Sequence, residues 1–324
     1  VVSKNGGWPA WHGNDAIVFH RSEDGTITGN WVLIHHNMST GIESTIVKGG
    51  MTPYVVRDTL VYAFMDSSKH RQIAMLDISN CRHGGELPAS VQLTFGATHH
   101  YNPTLGALVD SHHLVLLYHQ CRCSSVVPFV RHRRSPLPDV GLGFVYGDFP
   151  SVSHDHKRLA MVSQNFKSLE MFDLDGSNGR TVFPNSSWMT SFSPNGTLVF
   201  TDGPAFSRAN NGNVQVATFS NDMKKLTRLN VKPNQNQGYP CFDPTGSEIV
   251  FRTSNGVDSN NTLFGGLDGI YPGAYHLEVM DADGRNARSL TPARPRAGEW
   301  NDTNIGDTHP YWGPNGLIVF ASDR

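Results

Sequence analysis

The sequence predicts an all-β fold, a β-propeller, and three observations lead to this prediction. A short pattern recurs seven times along the 324 residues: an aromatic or small residue, proline, a polar turn, and then an apolar strand. The copies lie roughly 40 to 70 residues apart, a spacing typical of propeller blades. No segment shows the hydrophobic periodicity of an amphipathic helix. The copies begin at Gly7, Met51, His100, Asp148, Trp188, Gly238 and Thr308.

Each element of a blade has its own signal in the repeat. Proline cannot donate a hydrogen bond to a neighbouring strand, so we expect it at the start of the first strand. Turns such as Asp243-Pro-Thr-Gly246 place proline and glycine where a type I turn favours them. The second strand is a continuous apolar run, as in Ile249-Val-Phe251, which is typical of a strand covered on both faces. Asp-Gly turns then join the third and fourth strands, as between Tyr275 and Thr291.

The repeats divide a single domain, residues 1–324, into seven four-stranded blades, with six or eight as alternatives. The seventh copy supplies two strands, so we expect the last blade to be incomplete in this chain and to be closed with residues 1–6. The predicted blades are residues 7–50, 51–97, 98–147, 148–186, 187–237, 238–306 and 307–324.

Composition excludes some classes of partner. The formal net charge is −2 and charged residues make up 17% of the chain, so no electrostatic attraction to nucleic acid or to an anionic membrane is expected. No apolar run approaches the roughly 20 residues of a membrane-spanning helix. The first residue is Val1 rather than methionine, so we expect a processed or trimmed chain, with a removed signal peptide as one option.

The repeat resembles a known family. In the sixth copy, the segment from Pro240 to Gly246 precedes Ile-Val-Phe, and the hairpin from Met280 to Gly284 and the closing Leu290-Thr291 follow. This pattern resembles the TolB-like propeller repeat, and related repeats form the N-terminal propeller of dipeptidyl-peptidase-type proteins. Segments such as Gly6 to Trp11 resemble TolB-related proteins of plants and algae. The resemblance implies six to eight blades, most simply seven, and no enzymatic activity, because such repeats mostly serve as interaction platforms.

The sequence allows two kinds of catalytic site to be tested. The peptidases that carry such propellers use a Gly-x-Ser-x-Gly nucleophile in a separate domain, and the sequence contains no such motif. Histidines at strand entrances, His99, His100 and His309, could instead act as bases or metal ligands at one mouth of the propeller. Some propeller polysaccharide lyases use histidines in this way, but the resemblance to them is one of architecture only. We favour structural hydrogen bonding for these histidines, with no metal and no cofactor.

Several other residues are candidates for binding. If the propeller mouth takes a ligand, aromatic and imidazole rings there could contact it, although packing between blades is the more common use of such rings. Arg131 to Arg134 could contact an acidic partner, but a solvated loop is favoured. The pairs Asp173/Asp175 and Asp281/Asp283 lack the further ligands of a calcium loop and predict hairpin turns. The ligand-binding candidates are Trp8, His100, His119, Tyr239 and His309.

Cysteines and glycosylation signals bear on the compartment. A disulfide from Cys81 to Cys121 or Cys123 is an option in a secreted chain, whereas Cys241 is expected to be a buried thiol. Asn-x-Ser/Thr signals are compatible with an extracellular glycoprotein. They lie at Asn37, Asn185, Asn195, Asn260 and Asn301.

These observations predict a noncatalytic, extracellular propeller that acts as an interaction or structural module, either within a larger chain or in a self-associating, filamentous assembly. The alternative is a carbohydrate-active propeller, a lyase or a glycan-binding protein that uses its histidine-lined mouth. An intracellular scaffold is a third hypothesis. The expected partners are proteins or further copies of the chain, with a glycan as the alternative.

Overall fold

The computed structural model describes most of the chain as β-strands and tight turns, and the described part contains no α-helix. Contacts divide the chain into two compact units. Unit 1 comprises Val1–Tyr146 with Gly313–Asn315, and unit 2 comprises Gly147–Trp312 with Gly316–Arg324. The described residues are 6–23, 30–81, 85–95, 97, 99–108, 113–120, 125–126, 129–132, 140–141, 145–146, 148–155, 157–163, 166–174, 176–203, 213–229, 235–254, 275–292 and 307–322.

Unit 1 contains two regular four-stranded antiparallel blades and one larger sheet. In each regular blade the strands pair in chain order. The first blade is β1 (Gly6–His12), β2 (Ala16–Ser22), β3 (Trp31–Asn37) and β4 (Glu43–Lys48). The second is β5 (Gly50–Val56), β6 (Thr59–Met65), β7 (Arg71–Asp77) and β8 (Val91–Gln92).

The third sheet departs from the regular pattern, because its second strand pairs with three others. Its strands are β9 (His100–Leu108), β10 (His113–Gln120), β11 (Ser125–Val126), β12 (Phe129–His132), β13 (Val140–Gly141) and β14 (Val145–Tyr146). Arg131 and His132 therefore lie in strand β12, and not in the loop predicted for residues 131–134. Arg133 and Arg134 lie outside the described residues.

Unit 2 contains three four-stranded blades and a hairpin. The first blade is β15 (Asp148–Val152), β16 (Arg158–Val162), β17 (Leu169–Asp173) and β18 (Arg180–Phe183). The next two are β19 (Ser187–Phe192), β20 (Leu198–Asp202), β21 (Asn213–Phe219) and β22 (Leu226–Arg228), then β23 (Gln235–Phe242), β24 (Glu248–Ser254), β25 (Tyr275–Asp281) and β26 (Arg288–Ser289). A short parallel pairing of β21 with β23 joins these two blades. The hairpin is β27 (Thr308–Trp312) and β28 (Ile318–Ala321).

The fold is thus an all-β propeller with four-stranded antiparallel blades, as the repeat predicted. The blade number differs from the prediction: five four-stranded blades are seen among the described residues, where the sequence predicted seven. The third copy forms the six-stranded sheet and the seventh forms the two-stranded hairpin. The third copy carries Pro128, Pro136 and Pro138, and proline cannot donate to a regular ladder of strands.

The second strand of each regular blade forms the core, as its apolar sequence predicted. Val18, Val61 and Phe200 are fully buried, since both faces of their strands are covered. Neighbouring blades share clusters of side chains. One cluster joins Val18 and Leu33 of the first blade to Leu60 and several other side chains of the second.

The closing Leu-Thr of the repeat has a structural reason. Thr94 Oγ1 accepts a hydrogen bond from Ile73 N–H at 2.8 Å, and Thr291 Oγ1 accepts one from Leu277 N–H at 2.9 Å. These amides belong to the third strands at the point where the short fourth strands have ended. A buried N–H without an acceptor would destabilise the fold, so the threonine hydroxyl replaces the missing strand partner.

The Asp-x-Asp-Gly segments form hairpin turns. Gly284 N–H donates to the carbonyl of Asp281 at 2.8 Å, and Asn286 Nδ2 donates to the Asp281 carboxylate at 2.7 Å. Asp173 accepts the equivalent bonds from Gly176 and Asn178, while Asp175 lies outside the described residues. In the described part of the chain, no helix is long and apolar enough to cross a membrane.

Candidate functional site

A bulge recurs at the start of the first strand in six of the repeat copies. In the first strand of six copies the pairing register shifts at a two-residue step. The second residue of this step is proline in five copies and Thr190 in the other, and the first residue is the bulge position. The residue at this position has a positive φ between 47° and 55°, which non-glycine residues rarely adopt. Such strain persists only where packing holds the residue. The six residues are Trp8, Thr52, Phe149, Met189, Tyr239 and His309.

In unit 2, Trp188 and the bulge residues Phe149, Tyr239 and His309 form a continuous row of rings. The ring of Trp188, beside Met189, lies 6.4 Å from the ring of Phe149 and 6.4 Å from that of Tyr239. The rings of Tyr239 and His309 are 4.0 Å apart. Each contact links one blade or hairpin to the next, so the two unit 2 residues singled out as ligand candidates, Tyr239 and His309, do lie together.

A buried cation occupies the centre of this row. The Arg252 guanidinium, on β24, lies 4.4 Å from the ring centre of Tyr239, 4.4 Å from that of Tyr275 and 6.0 Å from that of Trp188. Arg252 is only 2% exposed, and cation–π contacts strengthen when water is excluded. The sequence pattern does not single out Arg252, because this residue directly follows the apolar run of a second strand.

The environment of His309 sets its charge. Burial is the first cause that lowers its pKa, and the neighbouring positive charge of Arg252 is the second; together they bring it to about 3. The imidazole of His309 is therefore neutral near pH 7. A neutral imidazole can accept a hydrogen bond, but a pKa lowered this far makes it a weak proton acceptor at pH 7.

In unit 1, His99 and His100 are bonded to the second blade. His100 is 3% exposed and its Nδ1 lies 3.0 Å from Gln72 Oε1, which also accepts from the Thr94 hydroxyl at 2.9 Å. Burial and then the nearby His99 lower the pKa of His100. His99 Nδ1 accepts the N–H of Arg71 at 3.0 Å. Each of these two histidines thus makes a hydrogen bond to the second blade, and the backbone of His119 pairs with that of Tyr101 in the third sheet.

A pair of buried histidines, His12 and His35, has no signal in the sequence. His12 Nδ1 lies 2.9 Å from His35 Nε2, and His12 Nε2 lies 3.0 Å from a carboxylate oxygen of Asp58. His12 and His35 are 0% and 2% exposed, while the Asp58 side chain is 44% exposed. If both rings are neutral, one arrangement of protons satisfies both hydrogen bonds: Nε2 of His35 donates to Nδ1 of His12, and Nε2 of His12 donates to the Asp58 carboxylate. No spacing signal could have found it, because the three residues are 23 and 46 positions apart.

The remaining candidates have definite positions. Among the described residues, no group of three or more histidine, cysteine, aspartate or glutamate side chains could hold a metal ion. Cys81 carries a free thiol here, whereas the sequence suggested a bridge from it to Cys121 or Cys123, which lie outside the described residues. Cys241 is also a free thiol, and burial raises its pKa.

The described glycosylation signals lie at a strand end, a bend and a turn. Asn185 is exposed between β18 and β19. The side-chain oxygen of Asn37 accepts from the N–H groups of Ser39 and Thr40, and that of Asn195 bonds Ser193. Asn260 and Asn301 lie outside the described residues.

Comparisons with known proteins support the fold. No family model and no curated protein matches the chain. An oligogalacturonate lyase from Vibrio parahaemolyticus is similar in structure, with a TM-score of 0.65 and 13% identity over 99% of this chain and 87% of that one. An oligogalacturonate lyase in complex with manganese gives a TM-score of 0.64 at 14% identity over 96% and 86% of the two chains. TolB from Acinetobacter baumannii gives 0.51 at 11% identity over 97% and 73%. The chain is a β-propeller, consistent with the TolB-like repeat.

Proposed function

We propose that this protein is a noncatalytic extracellular propeller that serves as an interaction or structural module, and that it binds a further strand at β28. The observation that carries the proposal is the exposure of β28. Every residue of β28 is half-buried, whereas the core residues of the equivalent strands β2, β6, β20 and β24 are buried. Among the described residues, β28 pairs with β27 alone.

An apolar strand with an unpaired edge is a template for an extended segment. In the complete blades the second strand pairs with a third over five to seven residues, as in the seven pairs of β6 with β7. The proposed occupant is therefore an antiparallel strand of another copy of the chain, with aliphatic side chains such as β7 supplies. On this view the β9–β14 sheet is the third blade and β27–β28 belongs to a seventh.

The bonding of the histidines supports a noncatalytic role. Ring nitrogens of His99 and His100 are engaged by Arg71 and Gln72, and each histidine helps to join the third sheet to the second blade. A catalytic base needs a nitrogen that can reach the substrate. His100 is moreover 3% exposed.

The test is the assembly state and intact mass of native material, by light scattering and mass spectrometry. We expect a multimer with sugar on Asn185 or Asn37. A Val319→Lys variant places a charge in the β28 edge and should yield monomers, because charged edges resist pairing. Leu290→Lys, at an exposed position outside β28, is the matched control and should leave the multimer intact. A bare monomer, or a multimer unaffected by Val319→Lys, would contradict the proposal.

A carbohydrate-active propeller is the second candidate. The similarity to oligogalacturonate lyases over nearly the whole chain favours it, together with the neutral His309 beside Arg252. The native protein would be incubated with polygalacturonate, and the unsaturated product of elimination would be followed by ultraviolet absorbance. If product forms and His309→Ala abolishes it while the unfolding midpoint stays near that of the native chain, the second candidate replaces the first. Absence of product from the folded native protein rejects lyase activity on this substrate.

A further inference from the structure

Three rings meet at one end of the first blade, on β1, β2 and β3. The ring centre of His20 lies 5.7 Å from that of Trp8 and 4.6 Å from that of Trp31. Two indoles thus flank one imidazole at this end of unit 1.

Trp8 differs from the other residues at the bulge position. It is 47% exposed, whereas Thr52, Phe149, Met189, Tyr239 and His309 are buried or half-buried. Its φ of 49° is the strained conformation common to this position. The repeat therefore holds an indole in a fixed backbone conformation and, in this copy alone among the six, leaves much of its surface open to solvent.

The bonding of His20 determines where its proton lies. His20 Nδ1 accepts the N–H of Thr52 at 3.1 Å. Burial lowers the pKa of His20 to about 4, so the ring is neutral at pH 7 and carries its single proton on Nε2. None of the described residues accepts a hydrogen bond from Nε2 of His20.

Glycine at position 7 keeps the space beside this N–H clear. A Cβ atom on residue 7 would lie 3.0 Å from Nε2 of His20, closer than side chains normally pack. Gly7 does not have a positive φ, so its backbone conformation does not call for glycine. The need for space beside the donor is the reason that the geometry offers.

An exposed indole beside an N–H donor that no described residue uses matches the surface of a sugar. The C–H face of a pyranose stacks on an aromatic ring, and a ring hydroxyl accepts from a nearby donor. Arg21, next to His20 in the sequence, is paired with Glu43 at 2.8 Å, and neutral His20 adds no charge, so neither of these two described residues offers a positive charge to a carboxylate. We infer that Trp8, His20 and Trp31 form a binding site for a neutral pyranose, a function independent of strand addition at β28.

The test is isothermal titration of the full chain with neutral cellohexaose, mannohexaose and xylohexaose, and with hexagalacturonate as the charged comparison. We expect millimolar or tighter binding of at least one neutral hexasaccharide. Trp8→Ala should weaken it about tenfold or more. Gly7→Ala should weaken it as well, because the methyl group obstructs Nε2 of His20. Phe95→Ala removes another exposed aromatic of unit 1 and should change nothing.

Urea unfolding of each variant separates loss of the site from loss of the fold. Since Trp8 is about half exposed, Trp8→Ala should unfold near the native midpoint. Gly7→Ala displaces the His20 ring, so its midpoint should fall slightly while the variant stays folded. Unchanged affinity in folded Trp8→Ala, no binding of any neutral hexasaccharide at millimolar concentration, or preferential binding of hexagalacturonate would each overturn the inference. None of these results depends on whether the chain self-associates.

Discussion

Acid should destabilise the propeller through His309, and the size of the effect follows from its surroundings. The ring contacts Tyr239 and lies near Arg252, and its pKa falls from 6.5 to about 3. The unfolded chain regains the ordinary value. The stabilising contribution is therefore complete above the unfolded pKa and is lost as the pH falls from about 6.5 towards 3, because the unfolded state binds the proton more readily.

The magnitude can be worked from these two values. At pH 4 the unfolded histidine is almost fully protonated while the native one is largely neutral. The proton then favours unfolding by a factor of roughly 300, or about 3 kcal/mol. This is a large part of the 5–15 kcal/mol by which a typical domain is stable. His20, whose pKa is lowered to about 4, acts in the same direction.

The assay is urea unfolding at several pH values between 7 and 4, followed by tryptophan fluorescence. His309→Asn removes the titrating ring and keeps a residue that tolerates positive φ. It should be less stable at pH 7, because ring packing is lost, yet it should lose about 3 kcal/mol less than the native chain on acidification. Phe149→Asn makes the corresponding ring-to-asparagine change at a bulge without a titrating group and should retain the native pH dependence. Equal losses in the native chain and His309→Asn would refute the reasoning.

Three further predictions concern the buried polar groups. Thr291→Val should reduce the free energy of unfolding by about 1–3 kcal/mol in urea, because Leu277 N–H loses its acceptor, whereas the same change at exposed Thr40 should have little effect. Asp58→Ala should also destabilise the chain by about 1–3 kcal/mol, because the ring of buried His12 loses the carboxylate that accepts its hydrogen bond. Asp58 is itself half-exposed, so an unchanged urea midpoint would mean that water replaces the carboxylate as the partner of His12. Burial raises the pKa of the Cys81 thiol to about 11, so Cys81 should react with iodoacetamide at pH 8 about 100-fold more slowly in the native chain than in the unfolded chain. Labelling would be measured by peptide mass spectrometry, and rapid labelling of the native thiol would contradict its burial.

The strand pattern was predictable because burial constrains it strongly. Runs such as Ile249-Val-Phe251 must be apolar to lie between two blades, so the sequence reveals them directly. Predicted starts at Gly7, Met51 and Asp148 fall within one residue of β1, β5 and β15. The branched sheet β9–β14 was not predictable, since its short strands carry neither alternation nor Asp-Gly turns.

The candidate site was predictable only in part. Tyr239 and His309 were placed at strand entrances by the prolines that follow them, and the structure brings their rings together. Arg252 was missed because a strand pattern reports which residues are apolar and does not report where a bulge turns a neighbouring ring. The His12–His35–Asp58 chain was missed because tertiary contact alone unites it.

In a repeat protein, residues that follow the repeat serve the scaffold, so function is best sought where a copy departs from it. The bulge position is strained in six copies, yet Trp8 is the one large side chain among them that lies about half in solvent. Among the second strands whose side chains are described, β28 is the one in which every residue is half-buried. The histidines first singled out as catalytic candidates are, by contrast, tied into blade contacts. These two departures direct the search for partners to the Trp8 indole and to the β28 edge.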